Sequence, residues 1–119
     1  MAKLLIIDDD RETVVYLKGF FKTRGCHILA SFTGEDGLVS FEKDKPDVVL
    51  LDIKLPGING LEVLKRIREN DKQTPVVMFT ALGDESTRKE AQDLGANNYI
   101  KKPFNMLELE GVVAKLIYK

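Results

Sequence analysis

The sequence predicts an α/β fold in which helices cover both faces of a five-stranded, mostly parallel, doubly wound sheet, and three features predict it. Short apolar runs alternate with longer amphipathic stretches in a βα pattern repeated five times. The short runs are rich in valine, isoleucine and leucine, as strands buried on both faces are. No linker, repeat or low-complexity segment breaks the alternation, so residues 1–119 read as a single domain of a size that supports one core. Strands separated by helices are joined by right-handed crossovers, and a parallel sheet with helices on both sides is the result.

The first strand is expected over Lys3 to Asp8, where apolar Leu4 to Ile7 runs into Asp8, Asp9 and Asp10. A first helix from Asp10 to Arg24 puts Val14, Leu17 and Phe21 on one face, with Gly25 where a left-handed cap is needed. His27 to Ser31 is the second strand; Thr33 with Asp36 opens the second helix, and Pro46 marks its end. The third strand covers Asp47 to Asp52, and Asn59 with Glu62 opens the third helix. The fourth strand runs from Pro75 to Phe79. The helix after it, near Asp84 to Leu94, has only Ala91 and Leu94 as clear apolar anchors and stops at Gly95. Asn98 to Lys101 forms the fifth strand, and Asn105 with Glu108 starts a last helix carrying Leu109, Val112, Val113 and Leu116 at helical spacing.

Composition narrows the function. Lysine and arginine total 18 against 19 acidic residues, so no overall field recruits nucleic acid or an anionic membrane. Apolar runs of four or five residues fall far short of the roughly 20 that cross a bilayer. Met1-Ala2-Lys3 precedes no signal-peptide core, and the lone Cys26 excludes an internal disulfide and fits a reducing compartment, so a cytoplasmic location is expected. A terminal helix and the lack of a linker favour a stand-alone protein, and a piece of a longer protein would read the same.

In parallel sheets of this kind ligands sit beyond the carboxyl ends of the strands, at the topological switch point. A 2-1-3-4-5 strand order makes the first and third strands neighbours there, which brings Asp8, Asp9 and Asp10 to Asp52. Asp10 opens a helix and reads as its cap. Asp8 and Asp9, like Asp52, follow buried apolar runs and sit at the mouth of a strand rather than on a solvated face. Such carboxylates raise one another's pKa unless a cation intervenes, and a hard divalent ion bound by oxygen, Mg²⁺ or Mn²⁺, resolves the conflict. The same edge receives the Thr80 hydroxyl, beside small Ala81, and the Lys102 ammonium, followed by Pro103 as a candidate cis proline.

Four segments in combination carry a family resemblance: Leu5-Ile6-Ile7-Asp8-Asp9-Asp10, Val49 to Gly57, Phe79-Thr80-Ala81, and Tyr99-Ile100-Lys101-Lys102-Pro103-Phe104. With them the chain resembles, over essentially its whole length, the receiver domain of two-component response regulators, similar in extent to the stand-alone chemotaxis and sporulation regulators, with a flavodoxin-like (βα)5 fold. The resemblance implies that Asp52 accepts a phosphoryl group in a phosphorelay. It implies that Asp8, Asp9 and Asp52, with the Lys54 backbone carbonyl, hold Mg²⁺. Thr80 then hydrogen-bonds the phosphoryl group, Lys102 pairs with it, and Tyr99 changes rotamer on activation. The implied donor is a phosphohistidine on a sensor histidine kinase or a histidine phosphotransfer protein; His27, at the start of the second strand, is read as structural. On this reading the chain is no turnover enzyme: it catalyses only its own phosphoryl transfer and autodephosphorylation.

Two other classes fit less well. A Mg²⁺-dependent phosphatase or phosphotransferase working through an aspartyl phosphate needs a cap or lid, for which 119 residues leave little room. A flavin-binding module needs a hydroxyl- and glycine-rich loop after the first strand, where this chain is acidic.

Overall fold

The computed structural model describes residues 1–117. Five βα units follow in order: β1 (Lys3–Ile7), α1 (Arg11–Lys22), β2 (His27–Ser31), α2 (Gly34–Asp44), β3 (Val48–Leu51), α3 (Gly60–Asn70), β4 (Val76–Thr80), α4 (Glu85–Asp93), β5 (Asn98–Lys101) and α5 (Met106–Ile117). All strands pair in parallel, in the order β2-β1-β3-β4-β5. The alternating pattern predicts the parallel sheet covered on both faces, and the strand order is that of the flavodoxin-like fold that the resemblance implies. Among the described residues no helix is long and apolar enough to cross a membrane.

Strand alternation divides the core in two. Leu4, Ile6, Val48, Leu50, Val77 and Phe79 point to one face and pack against Val14, Leu17 and Phe21 of α1 and Leu109 and Val113 of α5. Leu5, Ile7, Val49, Leu51, Val76 and Met78 point to the other and meet Val63, Leu64 and Ile67 of α3 and Ala91 of α4. With successive residues on opposite faces, both sets of side chains are buried, which explains why these strands read as unbroken apolar runs. Cys26, just before β2, is 8% exposed within the first of these layers. Burial raises its thiol above the ordinary value, consistent with an inert core residue.

Helix bounds follow local chemistry. α1 is shorter than Asp10 to Arg24 because Asp10 is extended and caps the helix, its carboxylate accepting from the Glu12 amide and the Thr13 hydroxyl. At the other end Thr23 is the cap, and Gly25, at φ +83°, turns the chain so that the Cys26 amide reaches the Phe21 carbonyl. Thr33, Asn59 and Asp84 cap α2, α3 and α4. Hydrogen bonds from the Thr87 and Ser86 hydroxyls hold the Asp84 carboxyl down at about 2. The Asn105 side chain accepts from the amides of Leu107 and Glu108 at the start of α5.

The end of the sheet away from the strand carboxyl termini is fastened by Arg68, in the last turn of α3. Its guanidinium donates to the carbonyls of Asp71, Thr74 and Gly95 and to Asn97 Oδ1, at 2.8–3.1 Å. Asn97 Oδ1 also accepts from the Val76 amide, so one side chain ties α3, the start of β4 and the α4–β5 turn together. A charged, half-buried fork with this many partners is worth more than a surface ion pair. Arg68→Ala is expected to lower the unfolding free energy in urea by about 2–3 kcal/mol, with Arg68→Lys recovering less than half. A loss below about 0.5 kcal/mol would mean that water replaces the fork without penalty.

Candidate functional site

The register of β1 against β3 decides the site. Ile7 pairs with Leu51, so Asp8 and Asp52, the next residues of two adjacent parallel strands, leave the sheet side by side. Backbone bonds fix both: the Asp8 amide donates to Ser31 and the Asp52 amide to Ile7, at 3.1 and 2.9 Å. The carboxylates are buried, Asp8 at 0% and Asp52 at 6% exposure, while Asp9 beside them is open to solvent. One oxygen from each of Asp8, Asp9 and Asp52 lies within 4.8 Å of the others.

Lys102 arrives from the far side of the sheet. The Thr80–Lys101 pairing of β4 and β5, with the Lys102 amide on the Thr80 carbonyl at 2.7 Å, sets its backbone. Its ammonium donates to Asp8 Oδ2 at 2.7 Å and Asp52 Oδ2 at 3.1 Å and lies 4.7 Å from the Phe79 ring centroid. The Lys102–Pro103 peptide is cis. Each buried oxygen that Lys102 does not reach has a backbone donor: the Asp10 amide to Asp8 Oδ1 at 3.0 Å, and the Lys54 amide to Asp52 Oδ1 at 3.3 Å.

Thr80 and Tyr99 stand one step away. Thr80, fully buried at the end of β4, accepts from the Leu82 amide at 3.3 Å. Tyr99, half-buried on β5, donates its hydroxyl to the Leu82 carbonyl, and its ring lies under the Arg88 guanidinium, 4.7 Å from the centroid. Both side chains thus bear on the β4–α4 turn, and neither hydrogen-bonds the carboxylates. Lys54 sits in the β3–α3 loop with its side chain in solvent. His27 is exposed at the start of β2, at the other end of the sheet.

Gly60 belongs to the site although the sequence reading gave it no role. A Cβ at Gly60 would lie 2.1 Å from the Asp52 carbonyl oxygen, so only glycine lets α3 begin against the acidic loop. Its amide bonds the Ile53 carbonyl at 2.8 Å. The signal was present, a glycine directly after the Asn59 cap, but what it approaches depends on tertiary packing.

The electrostatics follow from burial. Asp8's carboxyl lies above its ordinary 3.8, chiefly because burial penalises its charge. The Lys102 hydrogen bond and the Asp10 amide offset part of this, while the charge of Asp52 adds to the rise. Burial works against the Lys102 ammonium too, but the Asp8 hydrogen bond and the charges of Asp52 and Asp8 outweigh it, so its pKa rises and it stays a cation. Three carboxylates facing one ammonium leave the cluster net negative. Oxygen-only donors, two of them buried and together in excess of negative charge, fit Mg²⁺ or Mn²⁺ and do not fit zinc. A cavity of about 460 Å³ lies between α2 and α3, lined by Leu38, Phe41, Ile67 and Thr74; the carboxylates take no part in it.

An acid whose pKa rises on folding binds its proton more tightly when folded. Its stabilising contribution is full below the unfolded value and is lost as pH rises through the folded one. At neutral pH the ionised Asp8 therefore works against folding. Without divalent cation, Asp8→Asn is expected to be more stable than the wild type at pH 7, on the order of 1 kcal/mol, the usual size of single-site effects. The advantage should shrink as pH falls through Asp8's raised pKa toward 3.8, which urea unfolding at a series of pH values would measure. A gap that widens on acidification would contradict this.

Comparison with known proteins gives one answer. Residues 4–114 match the response regulator receiver domain family. The transcriptional regulatory protein CpxR of Escherichia coli K12 is 41% identical over 109 residues, covering 92% of this chain and 46% of CpxR. Sporulation initiation phosphotransferase F of Bacillus subtilis is 35% identical over 115 residues, 97% of this chain and 93% of that protein. The chain thus spans about half the length of relatives such as CpxR and nearly all of the sporulation protein. A two-component response regulator from Clostridium difficile superposes with a TM-score of 0.95 at 28% identity, covering 100% of this chain and 98% of that one. The BeF3-activated receiver domain of RstA from Klebsiella pneumoniae gives 0.93 at 25% identity, covering 98% and 99%. The chain belongs to the response regulator receiver domain family.

Proposed function

We propose that the chain is a phosphorylation switch in which Asp52 is the acceptor. The observation that carries this is the ion-paired cluster itself: a nucleophilic carboxylate, buried at a strand end, beside two further acids and under one ammonium. An Asp52 carboxylate oxygen attacks phosphorus in line with the leaving group. An oxygen–phosphorus bond forms as the phosphorus–nitrogen bond to the donor imidazole breaks, and the imidazole leaves with the bonding pair. The donor is a phosphohistidine of a sensor histidine kinase or a histidine phosphotransfer protein. Magnesium or manganese, held by Asp8, Asp9, Asp52 and the Lys54 carbonyl, would supply positive charge to the transferring oxygens.

The rest is done by the protein. Lys102 releases Asp52 and pairs with the incoming phosphoryl oxygens, so the repulsion between two anions falls as they meet. The Lys54 amide holds the acceptor's other oxygen and fixes which one attacks. Thr80 turns its hydroxyl to a phosphoryl oxygen, leaving the Leu82 amide, and the β4–α4 turn gives way with Tyr99 attached to it. The readout is a changed surface that includes Arg88, Tyr99 and Lys101, where Arg88 of α4 already stacks on the Tyr99 ring of β5. Repeated turnover on a small substrate is not part of this reading; the chain promotes its own phosphoryl transfer and loss. The cytoplasm is the setting in which such a donor meets it.

Intact-protein mass after incubation with acetyl phosphate tests the chemistry. One phosphate adduct is expected with Mg²⁺, none with chelator, and none on Asp52→Asn in either condition. Adduct retained by Asp52→Asn would move the acceptor elsewhere. Leu82 is half-buried two residues past Thr80, and on this reading its bulk obstructs water attacking the acyl phosphate. Leu82→Asn should shorten the adduct lifetime about tenfold, roughly 1.4 kcal/mol of barrier; an unchanged decay rate would remove that role.

A further inference from the structure

We infer that Glu35, in the first turn of α2, is a positioning residue for the acceptor: it holds the β3–α3 loop whose Lys54 amide bonds Asp52. The inference rests on the phosphorylation reading above and extends it to a residue that touches none of the reacting atoms. Glu35 Oε2 accepts from the Ile58 amide at 3.3 Å. The carboxylate lies across Gly57, where a Cβ would meet its oxygens at 2.5 and 2.8 Å. Gly57 has φ +75°, a turn that L side chains resist, so the loop's path and the space for the carboxylate depend on the same glycine.

The fit is two-sided. Gly34, the residue before Glu35, is buried against Ile58: a Cβ there would lie 2.7 Å from the Ile58 side chain and 2.9 Å from its carbonyl oxygen. Two glycines, one on each element, therefore bring the start of α2 and the loop into backbone contact, and Glu35 supplies the one side-chain hydrogen bond across it. From Ile58 the loop leads back to Lys54, whose amide donates to Asp52 Oδ1 at 3.3 Å. On its other side, the Gly60 amide ties the start of α3 to Ile53. The loop is held at one end by the Lys54 amide on Asp52 and at the other by the Gly60 amide on Ile53, and Glu35 holds it at Ile58 between them.

Removing the carboxylate frees the Ile58 amide and leaves the fold, because Glu35 itself is exposed. Glu35→Ala is expected to weaken Mg²⁺ binding about fivefold, the worth of one net hydrogen bond. Phosphorylation by acetyl phosphate at low Mg²⁺ should slow by a similar factor. Glu35→Gln keeps an acceptor oxygen at the same reach but loses the charge that favours a helix N-terminus. It should stay within about twofold of wild type, which a merely helix-stabilising role would not allow.

The test is a Mg²⁺ titration followed by amide chemical shifts on wild type, Glu35→Ala and Glu35→Gln, with amide hydrogen exchange at Ile58 measured in chelator. The expected result is faster Ile58 exchange and weaker Mg²⁺ binding in the alanine variant alone. An alanine variant that matches wild type in both, or a glutamine variant as impaired as alanine, overturns the role of Glu35. Wild type that binds no Mg²⁺ and forms no adduct overturns the phosphorylation reading and, with it, the inference. Faster Ile58 exchange with unchanged Mg²⁺ binding overturns the coupling of loop to site.

Discussion

Everything at the working end of this molecule depends on keeping Asp8 and Asp52 together while both are charged. Two unit charges within 4.8 Å repel by roughly 3–4 kcal/mol at an effective dielectric of about 20. Side chains on a flexible loop would relieve this by moving apart. Here they cannot, because each acid is the residue after a paired strand position and its amide is bonded to the neighbouring strand. The sheet supplies the constraint and Lys102 supplies the counter-charge, from 94 residues further along the chain than Asp8. The parallel topology is what makes this possible: it collects the carboxyl ends of β1, β3, β4 and β5 on one edge.

The legible part of the structure was the part written in periodicity. Apolar runs of four or five residues ending in an acid or a threonine marked β1, β3 and β4 and the polar side chains that follow them, since a strand buried on both faces leaves no ambiguity about where it meets water. Strand ends were legible to within a residue; α1 was read too long because Asp10 and Arg24 flank a helix that Asp10 and Thr23 cap. Lys102 was read as a partner for an incoming phosphoryl group. Its pairing with both Asp8 and Asp52 was not, and that pairing needs the strand register to be known.

What sequence could not deliver were the contacts between elements far apart in the chain. Gly60, Glu35 and Arg68 each sit in ordinary helical positions, and their importance lies in a neighbour: the Asp52 carbonyl, the Ile58 amide, the Gly95 carbonyl. Lys45 is another case, a lysine in the left-handed conformation at φ 49° that ends α2 just before Pro46. A glycine is the usual choice there, and the lysine gives no local hint. The proline does, because it disfavours helix for the residue before it.

The two ends of the sheet are held very differently, and the difference suits a switch. At the amino ends of β4 and β5, Arg68 bonds the Gly95 carbonyl and Asn97, so the carboxyl end of α4 is fixed to α3. At the other end, α4 begins at Asp84 in an exposed turn whose ties to the sheet are the Leu82 amide on Thr80 and the Leu82 carbonyl on Tyr99. Only Ala91 of α4 is fully buried, so the helix has little apolar area to resist displacement. A group that draws the Thr80 hydroxyl away therefore acts on the lightly held end of a helix whose other end stays put. The expected motion is a swing of the β4–α4 turn about the Arg68 anchor, rather than release of the whole helix. A charge change confined to Asp52 can in this way reach a surface two strands away without loosening the core between them.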